Sequence, residues 1–222
     1  MTRLATLIVV GAGLLVASPA QTWAKVNVFA CEPEWASLAA ALGGDDVSPY
    51  AATNARQDPH HIRARPSLLA KMRKADIVLC SGGGLEIGWL PLLLQKAGNA
   101  NVQPGGRYYL MAADMVPVLE KPSIVDRSMG DVHPEGNPHV HLNPHNIPLL
   151  ASALNTRFQA VDAARAGNYQ ARYEAFSARW QEAINRWEKN IPRLKGQRII
   201  THHKSWSYLI DWLGLELVNT LE

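Results

Sequence analysis

The sequence is short of several things, and each shortage narrows what it does. There are two cysteines in 222 residues, no dense run of lysine and arginine, and no glycine pattern that completes a nucleotide site. Gly82-Gly83-Gly84 lacks both the Lys-Ser/Thr of a P-loop and the G-x-G-x-x-G spacing of a dinucleotide fold, so it reads as a tight strand-to-helix turn. With 22 Lys+Arg against 19 Asp+Glu the chain is nearly neutral, and without basic residues interleaved with aromatics nucleic acid is a poor partner. The one long apolar run, Leu4 to Val16, falls short of the roughly 20 residues that a membrane-spanning helix needs. It follows Met1-Thr2-Arg3 and precedes the small residues up to Ala24, the layout of a secretory signal peptide over residues 1–24. Cleavage after Ala24 is expected, with Ala20 as the alternative; no Cys follows either, which argues against a lipid anchor. Removal takes away Arg3 alone and leaves 21 basic against 19 acidic residues.

What remains is globular in composition, 47% hydrophobic and 18% charged. Val26 to Ala30 reads as a strand, Trp35 to Leu42 as a helix stopped by Gly43-Gly44, Val47 to Tyr50 as a second strand. A polar loop, Thr53 to Arg65, leads to a helix opened by Pro66. Asp76 to Cys80 reads as a strand buried on both faces, and the glycine turn leads to a helix over Leu85 to Ala97 and a strand-like Arg107 to Met111. This alternation predicts an α/β class with a parallel sheet, whose ligands sit beyond the carboxyl ends of the strands. Cys31 and Cys80 each end a strand-like run, and whether they form a disulfide or stay free thiols is open at this point.

From Met115 to Gly136 the pattern lapses into a surface loop. Asn143-Pro144 opens an amphipathic helix, and after Gly167-Asn168 the spacing of Tyr169, Tyr173, Phe176, Trp180, Ile184, Trp187 and Ile191 predicts a long helix, a coiled-coil arm or a strut between lobes. Arg198 to Thr201, Ser205 to Leu213 and Leu215 to Val218 begin a new strand–helix–strand unit. One and a half such units cannot bury a core alone, so the second lobe is read as truncated. The expected division is an N-terminal α/β lobe over 25–165, the long helix over 166–192 and the start of a C-terminal lobe over 193–222.

All eight histidines fall at His60/His61, His133, His139/His141/His145 and His202/His203. Neutral imidazole is a common zinc ligand, and three from separate segments with one oxygen make a tetrahedral site. A three-histidine zinc hydrolase would need a base beside the metal. Glu86 is the nearest candidate, but it reads as a structural carboxylate at a helix start.

Asp58-Pro59-His60 with Pro66-Ser67, Ala75-Asp76-Ile77-Val78 through Gly84-Leu85-Glu86 to Trp89-Leu90, Asn137-Pro138-His139-Val140 with Asn143-Pro144, and His203 with Trp206 and Tyr208 occur in that order. Together they resemble the metal-binding receptors of zinc and manganese ABC importers, over nearly all of residues 25–222. The resemblance implies two α/β lobes with parallel sheets joined by one long rigid helix, and a metal in the cleft between them. It implies a periplasmic, monomeric receptor, not an enzyme, that binds Zn²⁺ and hands it to a membrane permease. A manganese receptor or an adhesin of the same fold is the alternative.

Carried over by position, His60, His139 and His203 are the expected ligands, and the third histidine favours zinc over manganese. The family's fourth ligand, a carboxylate, would lie beyond Glu222, so water, Asp131 or Glu135 is expected to stand in. Ile62, His141 and Asn143 depart from the family pattern without removing a ligand. Of the other histidines, His61 and His202 are read as neighbours of ligands, and His141 as the best spare if its stretch is extended. His145 is read as a solvated first-turn residue, and His133 as an exposed loop residue, with help in metal capture as the alternative. Tyr208 and Trp206 are expected to pack the second lobe.

Overall fold

A computed structural model of the chain describes residues 24–122 and 133–221. The expected signal peptide, apart from Ala24, and the candidate ligand Asp131 lie outside the described residues.

Four parallel strands, β1 (Val26–Ala30), β2 (Val47–Ala51), β3 (Ile77–Cys80) and β4 (Tyr109–Met111), pair in the order β2-β1-β3-β4. The register runs Val26↔Val47, Val28↔Ile77 and Val78↔Tyr109. Alternate residues feed opposite faces, as pleating requires. Val26, Val28, Ala30, Ile77 and Leu79 join a core with Trp35, Leu150, Leu154, Phe158 and Tyr169 on one face. Phe29, Val78 and Cys80 join Leu68, Met72, Trp89 and Leu93 on the other. Helices α1 (Pro33–Gly43), α4 (Asn146–Val161) and α5 (Ala166–Glu188) cover the first face, and α2 (Pro66–Arg73) and α3 (Leu90–Ala97) the second. Both faces are dry, which is why the strands read as continuous apolar runs.

Cys31 follows β1 and Cys80 ends β3, so the two stand side by side on neighbouring strands. They are joined by a disulfide, with Cα atoms 4.8 Å apart and both residues fully buried. The expected helix from Leu85 is not formed before Leu90. Glu86 turns back to accept from the N–H groups of Ser81 and Gly82 (2.8 and 3.1 Å), and three-residue turns close from Gly82 to Trp89. The α-helix starts only where Pro91 fits its first turn.

The long helix α5 is 23 residues and begins at Ala166, so Gly167-Asn168 lie inside its first turn rather than before it. Its apolar stripe lies on α4 and α1: Tyr169 stacks on Phe158 of α4 with ring centroids 5.1 Å apart, and Phe176 and Trp180 stack on each other along the stripe at 5.5 Å. The other side of its first turns is held by Asp46, which pairs with Arg172 at 2.7 Å and Arg165 at 3.2 Å. The helix ends at Glu188, three residues short of Ile191, where a turn over Ile191–Arg193 takes over. Beyond it, β5 (Arg198–Thr201), α6 (Ser207–Leu213) and β6 (Glu216–Thr220) form a two-stranded parallel sheet with one helix. Ile200, Val218 and Leu221 are exposed there.

Candidate metal centre

The strand order reverses between β1 and β3, which puts the crevice for a ligand at the carboxyl ends of these strands. Four histidines reach it. His60 comes from the loop after β2, His133 and His139 from the segments that follow β4, and His203 from the end of β5. The rings of His60 and His139 are 6.5 Å apart, those of His60 and His203 6.2 Å, and those of His139 and His203 6.3 Å. His133 closes the group, 5.2 Å from the ring of His60 and 6.4 Å from that of His139.

Each ring has a local reason for its place. Asp58 caps the turn Pro59–His61, its Oδ1 accepting from the His60 N–H at 2.9 Å and from the His60 ring Nδ1 at 2.7 Å. Burial raises the Asp58 pKa, but the hydrogen bonds from the His60 backbone and ring outweigh it and hold the carboxyl below its ordinary value. The proton of His60 therefore sits on Nδ1, and the Nε2 lone pair is turned to His133 Nε2, 3.3 Å away. Carboxylate–histidine pairs of this kind orient metal ligands. Two nitrogens bound to one tetrahedral zinc at 2.0–2.1 Å lie about 3.3–3.4 Å from each other. The two Nε2 atoms are at that spacing.

His139 is held from behind. Asn137 Oδ1 accepts from its N–H at 3.0 Å, and Pro138 packs under Gly83. Its Nε2 is buried without a hydrogen-bond partner, an arrangement that costs about 1–3 kcal/mol unless something fills it. Burial, and then repulsion from His141, His133, His60 and His203, drives the His139 pKa down to about 3. The ring is thus a neutral donor at any physiological pH.

The other histidines stand around this group. Val140–Leu142 form a 3₁₀ turn rather than an extended stretch, yet the His141 ring stays 6.3 Å from that of His139. It also meets Trp35 edge-on at 6.0 Å and stands 3.5 Å from Glu34. His61 is largely exposed beside Asp58, and His202 is exposed. His145 is exposed at the start of α4, as expected, and pairs with Glu188 at 2.8 Å. Glu135 lines an open cleft of about 310 Å³ with Glu86, Asp114 and Tyr109. Glu86 is buried against Glu32, and burial pushes both carboxyls up, Glu32 further by Glu86; the Glu86 carboxylate is taken up by the N–H groups of Ser81 and Gly82. Tyr208 is buried in the core of the first sheet rather than packing a second lobe, and Trp206 is exposed. His133, which the sequence offers as an exposed loop residue that could help capture metal, is half-buried with its ring 5.2 Å from that of His60.

Residues 28–222 match the family described as zinc-uptake complex component A, periplasmic. The chain belongs to this family. Component A proteins are metal-binding receptors of ABC transporters and not enzymes. Similar chains include the metal ABC transporter substrate-binding lipoprotein ScbA of Streptococcus cristatus, 25% identical over 186 residues that cover 83% of this chain and 58% of the relative. The iron ABC transporter substrate-binding lipoprotein MtsA of Streptococcus pyogenes serotype M1 is 22% identical over 196 residues, covering 86% and 60%. This chain therefore spans less than two thirds of the length of either relative. A crystal structure of ZnuA aligns with a TM-score of 0.70 at 20% identity, over 88% of this chain and 70% of that one, a likeness of fold. The family is described for zinc, while the relatives are named for manganese, for iron and for metal in general, so the comparisons leave the metal open. Among the described residues no helix is long and apolar enough to cross a membrane.

Proposed function

We propose that this chain is the zinc-binding part of a metal importer's receptor. It is exported by the signal peptide of residues 1–24, captures Zn²⁺ outside the cytoplasmic membrane in the periplasm, and presents it to a membrane permease. In this reading the N-terminal lobe over 25–165 and the β5–α6–β6 unit, joined by α5, supply His60, His139 and His203 as ligands. His133 takes the fourth position that the sequence assigned to water or a carboxylate.

The observation that carries the reading is the pair of Nε2 atoms 3.3 Å apart on His60 and His133, next to the buried, unpartnered Nε2 of His139. Zinc is the cargo this set suits best. Four imidazole nitrogens, with no carboxylate beside them among the described residues, match a borderline ion that accepts tetrahedral geometry, whereas manganese prefers oxygen donors and more of them. The manganese alternative therefore loses its main support, a carboxylate among the ligands. Titration calorimetry of the mature chain with zinc, manganese and ferrous iron tests the assignment. One tight zinc per chain, with the other two much weaker, is expected, together with loss of tight binding in His139→Ala. Tighter binding of manganese than zinc would overturn it.

A further inference from the structure

The loop that carries His139 and the loop that carries His203 come from different sheets, yet one side chain is bonded to both. Asn137 is 5% exposed. Its Oδ1 accepts from the His139 N–H at 3.0 Å, and its Nδ2 donates to the carbonyl of Lys204, the residue after His203, at 2.8 Å. The same Nδ2 donates to Glu120 Oε2 at 2.8 Å, and Glu120 Oε2 also accepts from Ser207 Oγ at 3.0 Å. The backbone around Asn137 is tied just as closely. Its N–H donates to the Leu119 carbonyl at 2.8 Å, and its carbonyl accepts from the Tyr208 hydroxyl at 2.9 Å, which in turn accepts from the Leu119 N–H at 3.1 Å.

Two backbone features show that this knot is built rather than incidental. Glu120 has φ 54°, the one positive φ among described non-glycine residues, a conformation that persists only where the surroundings hold it. Gly136 has φ 107°, and a Cβ there would meet Val118 at 2.8 Å, so only glycine lets the two segments approach.

We propose that Asn137 is a positioning residue for the metal site: its amide latches the His139 loop to the His203 loop and thereby sets the spacing of ligands drawn from the two sheets. The function needs an amide, since one end must accept from an N–H while the other donates to a carbonyl and a carboxylate. Aspartate has the same shape but no donor. It would set an oxygen against the Lys204 carbonyl and the Glu120 carboxylate, and the latch would be pushed open. The ligands themselves would be untouched, so the metal would still bind one per chain and escape faster.

The inference rests on the histidine site proposed above. The test is stopped-flow release of zinc into excess chelator from the mature wild-type chain, Asn137→Asp, and Asn137→Asp combined with Glu120→Gln, with stoichiometry from calorimetry. Asn137→Asp should keep one zinc per chain and release it about 10- to 100-fold faster, the usual range for residues that orient ligands. Glu120→Gln, which returns a donor opposite the new carboxylate, should recover part of the loss; a residue needed only for folding would not be rescued in release rate. Tyr208→Phe should give a smaller acceleration, which covers the case in which Asn137→Asp fails to fold. Release from Asn137→Asp and Tyr208→Phe at the wild-type rate would overturn the latch and leave the site standing. Failure of the wild type to bind zinc would overturn the site, and the latch with it.

Discussion

Replacing His133 by alanine is expected to leave the fold intact and to weaken zinc binding by about two orders of magnitude. The ring is only partly buried and belongs to neither hydrophobic core, so its loss removes a donor and little packing. Structural four-ligand zinc sites bind with roughly 10–16 kcal/mol, so an equal share per ligand is about 2.5–4 kcal/mol. At about 1.4 kcal/mol per decade this is roughly a 60- to 700-fold effect. A water entering the vacated position restores part of the loss, which places the expectation near the lower end. Competition against a fluorescent zinc chelator at fixed pH measures it, with His61→Ala as the control because that ring is exposed and outside the cluster. An affinity of His133→Ala indistinguishable from wild type would refute the reasoning. The 3.3 Å spacing of the two Nε2 atoms would then mark a simple hydrogen bond between rings.

Three more outcomes follow from the same geometry. Asp58→Ala removes the acceptor that fixes the His60 tautomer and should lower zinc affinity about 10- to 100-fold without changing stoichiometry, as calorimetry would register. The bridge between Cys31 and Cys80, 49 residues apart in sequence, should contribute about 4 kcal/mol by restricting the unfolded chain, so Cys31→Ala/Cys80→Ala is expected to lower the denaturant midpoint markedly with little effect on zinc stoichiometry. Burial, and then Glu86, raises the Glu32 pKa, so its contribution to stability is complete below the unfolded value near 4.5 and is lost as pH rises through the folded value. Glu32→Gln should therefore flatten the fall in stability of the metal-free protein above that pH, and thermal melts that stay parallel to wild type across the range would contradict this.

The strand and helix alternation was legible because both faces of the sheet are buried, and runs such as Ile77 to Cys80 then carry no polar residue. His60, His139 and His203 were legible only through the motif around each. What was not legible depends on contacts distant in sequence. The disulfide was undecidable until β1 and β3 were known to be neighbours, which strand order sets and spacing does not. The side that His141 faces turned on whether Val140 to Leu142 was extended or coiled. Glu86 reads as a helix residue until its carboxylate is seen to bind the N–H groups of Ser81 and Gly82. His133 stands in a stretch with no periodicity, and it reaches the cluster only because Gly136 and Asn137 draw the segment against Leu119.

X-ray absorption at the zinc edge of the loaded, mature chain tests the four-imidazole site most directly. A single shell of four nitrogen donors at about 2.0–2.1 Å is expected, with outer-shell scattering from four imidazole rings. A shell with fewer than three imidazoles, or one dominated by carboxylate oxygens, would contradict it.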